Sequence, residues 1–190
     1  MQAYLLKEYR GLIVAFVAVS LAGCGKSIAF LEEADVTGYA KTPVTLERKQ
    51  FYEKRNNQLR WIDVFVRAEM RILDTQLPIW RGDLHPVFLG YQKELGFVLV
   101  TSIRDSITCV KRGRPKSSYV AFVVSGDQWV EIDVPLQFDK ARANLLLGPS
   151  PSADYSVEKP LTMMDKEFSN RHYGLGTGFD VINIGKPYGC

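Results

Sequence analysis

An indole and two carboxylates fall on alternate residues of one run: Trp129, Glu131 and Asp133, with Val130, Ile132 and Val134 between them. In an extended strand alternate side chains share a face, so the run would set an aromatic platform beside two acids, the combination used by sugar-binding faces. Such a pair could in principle divide the acid and nucleophile roles of glycoside hydrolysis, although working carboxylates stand at defined separations and usually come from different strands. A solvated outer sheet face accounts for the same residues more simply.

The other chemistry-bearing residues are sparse. His85 and His172 are the only histidines, and neither has Cys, Asp or Glu beside it at metal-ligand spacing, so no metal site is expected. His85 reads as a loop residue before Pro86, and His172 as the close of a short helix. Gly25-Lys26-Ser27 looks like the tail of a phosphate-binding loop, but Ser20 stands where that motif needs its first Gly. Gly174, Gly176 and Gly178 precede a strand-like run instead of opening a helix, which argues for a flexible turn over a dinucleotide site. Arg81-Gly82-Asp83 reads as a turn with a local ion pair. No Gly-x-Ser-x-Gly elbow is present, and no catalytic residue is assigned.

Lys111, Arg112, Arg114 and Lys116 form a basic segment with no acidic residue among them. As a hairpin tip it could meet an anionic surface, or simply block edge-to-edge aggregation. Over the whole chain, 24 basic residues face 21 acidic ones, for a net charge of +3 in 190 residues. That near balance gives no field of the kind that gathers nucleic acid.

The first two dozen residues carry the strongest signal. Lys7 and Arg10 precede an uncharged apolar run from Gly11 to Ala22, long enough for a signal-peptide core and too short to span a bilayer. Leu21-Ala22-Gly23-Cys24 closes that run and resembles the lipobox of bacterial lipoproteins. The resemblance implies cleavage before Cys24, a covalent lipid on its sulfur, and Leu21, Ala22 and Gly23 as the processing positions. Several acyl chains on one residue hold a protein durably at a membrane, and no other cofactor is expected. The domain would face the periplasm. Gly25 after the Cys favours the outer membrane, whereas Lys26 and Ser27 match some pseudomonad lipoproteins retained at the inner one.

Residues 1–23 therefore read as the leader, 24–41 as lipidated N-terminus and tether, and 42–190 as one globular domain. Cys109 and Cys190 are the remaining thiols, and export would let them form a disulfide. Thr42-Pro43 could open a helix reaching Asn57. Ile62 to Ile72 alternates apolar and polar residues, the best strand pattern in the chain. Pro78 to Pro86 reads as a loop. Val87–Tyr91, Gly96–Ile103, Ile107–Lys111, Tyr119–Ser125 and Gln128–Val134 read as short strands, with Gly126-Asp127 as a hairpin turn. Thr162-x-x-Asp165 resembles a capping box for a helix ending near Gly174, and Phe179 to Ile184 offers a last strand.

These patterns predict an α+β fold, mainly antiparallel β, as one sheet or a two-sheet sandwich, with one or two helices. For function they point to a membrane-anchored, non-enzymatic module that binds another protein through the basic tip, either an envelope-machine component or a toxin-neutralising partner. The alternative is a peptidoglycan- or glycan-directed binder or hydrolase using Trp129, Glu131 and Asp133.

Overall fold

The computed structural model describes residues 25–57, 60–104, 106–113, 115, 117–172 and 181–185. It contains two four-stranded antiparallel sheets. The first has the order β1 (Lys26–Ala34), β2 (Val44–Asn57), β3 (Arg60–Ile72) and β4 (Trp80–Gly82), and the second β5 (His85–Gln92), β6 (Gly96–Ser102), β7 (Tyr119–Ser125) and β8 (Gln128–Ile132). Within each sheet every strand pairs with its neighbour in sequence, the usual arrangement of consecutive elements. The expected α+β, mainly antiparallel, two-sheet architecture is what the chain adopts.

The sheets pack face to face. Leu46, Met70, Ile72 and Trp80 of the first meet Leu89, Phe97 and Leu99 of the second in one buried cluster. The far face of the second sheet is covered in turn by Val134, Phe138, Ala143 and Leu147, which lie on Val87, Val98, Val100 and Ala121. That second cover explains why β6 is buried along nearly its whole length and reads as a continuous apolar run.

Several expectations give way here. The supposed tether is β1, an edge strand whose Ile28, Phe30, Glu32 and Ala34 face inward. The supposed helix up to Asn57 is β2, whose inward face holds Val44, Leu46, Arg48, Gln50 and Tyr52. In both strands a charged or polar residue sits at an inward position, which hides the period-two pattern. Ile107 to Lys111 belongs to a helix, α1 (Ser106–Lys111), because Thr108 and Cys109 bury together while Ile107 and Val110 face out. That is a helical, not an alternating, arrangement. The Pro78–Pro86 loop contains β4 and the start of β5, anchored by the buried Trp80. In place of a last strand, Val181 makes only an isolated bridge to Arg142, and residues 179–180 lie outside the described ones.

Other expectations hold. Ser125 and Gln128 close a two-residue hairpin in which Gly126 takes φ +65°. Helix α2 (Met163–His172) opens on a reciprocal cap: Thr162 N–H donates to Asp165 at 2.9 Å, and Asp165 N–H donates to Thr162 Oγ1 at 3.3 Å.

Beyond Tyr52, β2 and β3 outrun both neighbours. β1 pairs with β2 only as far as Lys26↔Tyr52, and β4 touches β3 only at Ala68–Met70. Among the described residues, Glu53–Asn57 and Arg60–Val64 therefore pair with each other alone, as a two-stranded ribbon.

Candidate functional site

The chain enters the sandwich almost at once after the expected lipid position. Gly25 is the first described residue, and Leu21, Ala22, Gly23 and Cys24 lie outside the described ones, as do Arg114, Lys116, Cys190 and the glycines at 174, 176 and 178. Cys109 is wholly buried among Leu84, Ile103 and Val120.

The basic segment is not a hairpin tip. Lys111 ends α1, where its charge suits the helix C-terminus. Arg112 follows and turns back: its Nη1 donates to both oxygens of Glu131, at 2.9 and 3.1 Å, and its Nη2 stands 3.9 Å from Asp83. One candidate cation and one candidate carboxylate thus neutralise each other. Asp83 belongs to the Arg81-Gly82-Asp83 run, whose Arg81 pairs with Glu69 on the adjacent strand at 3.4 Å. Arg81 and Gly82 belong to the edge strand β4 and Asp83 follows it, and a Cβ on Gly82 would fall 2.5 Å from the Trp80 ring.

Trp129 is no open platform. Its indole N–H donates to the Pro78 carbonyl at 2.7 Å, and the half-buried ring packs on the inter-sheet core. The expected solvated outer face is the inner one, because the register Val124↔Trp129 and Phe122↔Glu131 aligns these residues with Phe122, which also packs on that core. Asp133 lies just past the end of β8. No aromatic face beside two free carboxylates is formed.

His85 opens β5 instead of sitting in a loop, and its ring stacks on Phe65 at 3.9 Å between centroids. His172 is the last residue of α2. Among the described residues no group of three potential ligands could hold a metal ion.

One buried polar constellation carried no signal in the sequence. Glu32, Arg48 and Lys166 are all fully buried. Arg48 Nη1 donates to Glu32 Oε1 at 2.6 Å and to the Leu146 carbonyl at 3.0 Å, while Leu146 N–H donates to Glu32 Oε2 at 2.7 Å. Lys166 Nζ stands 3.8 Å from Glu32 Oε2 and donates to the carbonyls of Glu33 and Asn144. Desolvation lowers the Lys166 pKa against the attraction of Glu32, and the nearby Arg48 lowers it further. Beside them, Tyr52 O–H bonds Gln50 and the Pro149 carbonyl, and burial raises its pKa. Both Glu32 oxygens are occupied, so the cluster is suited to clasping and not to proton transfer. It ties β1 and β2 to the 144–149 segment and to α2.

No family model, curated protein or solved structure matches this chain. Functional inference therefore rests on surface chemistry. Sequence reasoning missed the outward pair Ile107 and Val110, 53% and 55% exposed, because it took the segment for a strand. Their three-residue spacing, with Lys111 one step on, was the available clue. No helix among the described residues is long and apolar enough to cross a membrane.

Proposed function

We propose that this chain is a membrane-anchored bacterial envelope lipoprotein, lipidated at Cys24 and facing the periplasm, whose domain binds a second protein through α1 and the basic segment after it. One observation carries the binding reading: α1 buries Thr108 and Cys109 and turns Ile107, Val110 and Lys111 out together. An apolar centre beside a cation is the composition of a small protein-binding patch. Arg114 and Lys116 extend the basic character in sequence, so the partner is a protein with an acidic rim. The lipid raises the effective concentration of the domain, which lets a modest contact suffice.

A photocrosslinking residue at position 107 or 110, in intact cells, tests this. The expected result is one defined protein adduct that weakens on Lys111→Glu and is missing when the probe sits at Leu136, itself 84% exposed. Adducts to lipid alone, or the same adducts from position 136, would overturn it.

A further inference from the structure

The β2–β3 ribbon projects from the end of the first sheet where the chain enters. Lys26 is paired with Tyr52 at the ribbon's root, and Gly25, Lys26, Phe51, Tyr52, Glu53 and Arg67 line one shallow hollow there. Cys24 is one residue before Gly25 in the sequence. From the root the ribbon runs on for five residues of β2, Glu53 to Asn57, or roughly 17 Å at strand rise.

What the ribbon carries is specific. Trp61 is 67% exposed, the most exposed aromatic residue but one among the large apolar residues left open to solvent. Around it Lys54, Arg55 and Arg60 are exposed, Arg55 lying 3.6 Å from Glu53. On the ribbon itself three cations stand against Glu53 and Asp63, and at the root Lys26 adds a fourth while Arg67 lies 4.0 Å from Glu69. A two-stranded ribbon that no other described strand flanks is marginal in water on its own. Tryptophan with Lys and Arg is the residue set that settles at a membrane–water interface.

We propose that the ribbon is a second membrane contact: its tip seats Trp61 at the headgroup level of the leaflet that holds the Cys24 lipid, with Lys54, Arg55 and Arg60 on anionic headgroups. This rests on the lipid-anchor reading. A bilayer that takes up acyl chains beside the root lies within reach of the tip, and two contacts fix the domain's orientation where one lipid would leave it free to swing. The α1 patch is then held in a constant relation to the membrane surface.

The test uses the purified full mature chain, with its mass first establishing the lipid, reconstituted in vesicles of phosphatidylglycerol and phosphatidylcholine containing brominated lipid. Trp80 is buried and Trp129 half-buried, so the quenched emission should come from Trp61 and vanish in Trp61→Phe. Each of Lys54→Gln, Arg55→Gln and Arg60→Gln should weaken the ribbon's contact with anionic vesicles about fivefold. Lipidated, vesicle-bound protein that is quenched no more than Trp61→Phe overturns the ribbon contact while leaving the anchor intact. A mass without lipid overturns the anchor instead. In that case the ribbon is judged by flotation of the chain with anionic vesicles: loss of binding in Trp61→Ala supports it, and no binding by the unaltered chain sinks it.

Discussion

Arg48 and Glu32 meet across β2 and β1 at 2.6 Å with neither side chain reaching solvent. Lys166 shares the same carboxylate, so two buried cations depend on one anion. Two Arg48 nitrogens, Nε and Nη2, have no hydrogen-bond partner among the described residues, and the guanidinium lies 5.2 Å from the Phe30 ring centre. Removing the anion should therefore cost more than removing either cation. Glu32→Gln is expected to lower unfolding free energy by about 3–5 kcal/mol, since it leaves both cations uncompensated. Replacing all three with packed Leu or Met should restore much of that loss. Urea denaturation checks both; a Glu32→Gln variant as stable as the parent contradicts the clasp.

The same cluster sets a pH dependence. The Lys166 pKa is lowered from 10.5 by burial. The unfolded chain therefore binds the extra proton between the depressed value and 10.5, and stability should rise with pH through that window. The Tyr52 hydroxyl is raised above its ordinary 10.0 by burial. The folded state keeps a proton that the unfolded one loses, so this contribution is complete below about pH 10 and declines above it. The urea midpoint should climb on the alkaline side and then turn over. Lys166→Met should flatten the climb and leave the decline, and a steady fall from neutral pH in the parent would contradict this assignment.

What was legible in the sequence follows from where polar residues sit. β3, β5, β6 and β7 announce themselves because their inward positions are apolar or aromatic. β1 and β2 do not, because Glu32, Arg48 and Gln50 occupy inward positions, where Arg48 pairs with Glu32 and Gln50 accepts from the Tyr52 hydroxyl. No local pattern distinguishes a buried ion pair from a solvated one; its partners come from residues 146 and 166, more than a hundred positions beyond Glu32. Trp129 misled for a related reason: alternation identifies a shared face but not which face is inner. The ribbon is invisible to sequence because it is defined by neighbours that stop short.

Gly90 is held by shape. A Cβ there would stand 2.7 Å from the Phe138 ring and 2.8 Å from that of Phe88, and those rings are themselves in contact at 5.3 Å between centroids. Gly90→Ala should force them apart and cost about 1–3 kcal/mol, the usual range for overpacking. Gly126→Ala is a different case, with open space but φ +65°, and its cost is conformational only. Thermal denaturation of Gly90→Ala, read with and without Phe138→Leu, should show the second change recovering part of the first loss. Independent additivity would contradict the steric account.

The pairing of Cys109 with Cys190 can be separated from burial alone. Cys109 fills a core position among Leu84, Ile103 and Val120, so Cys109→Ser loses packing whether or not a bridge exists. Cys190 ends the given sequence and offers a cleaner probe. If the two are bridged, Cys190→Ser should cost up to about 4.5 kcal/mol on the chain-entropy account of so long a loop, and adding Cys109→Ser should cost little more than the lost packing. If Cys24 carries the proposed lipid, the bridged protein, denatured and unreduced, should show no thiol to an alkylating agent, and reduction should expose two. Two reactive thiols before reduction, together with a neutral Cys190→Ser, would leave Cys109 as a core residue and nothing more.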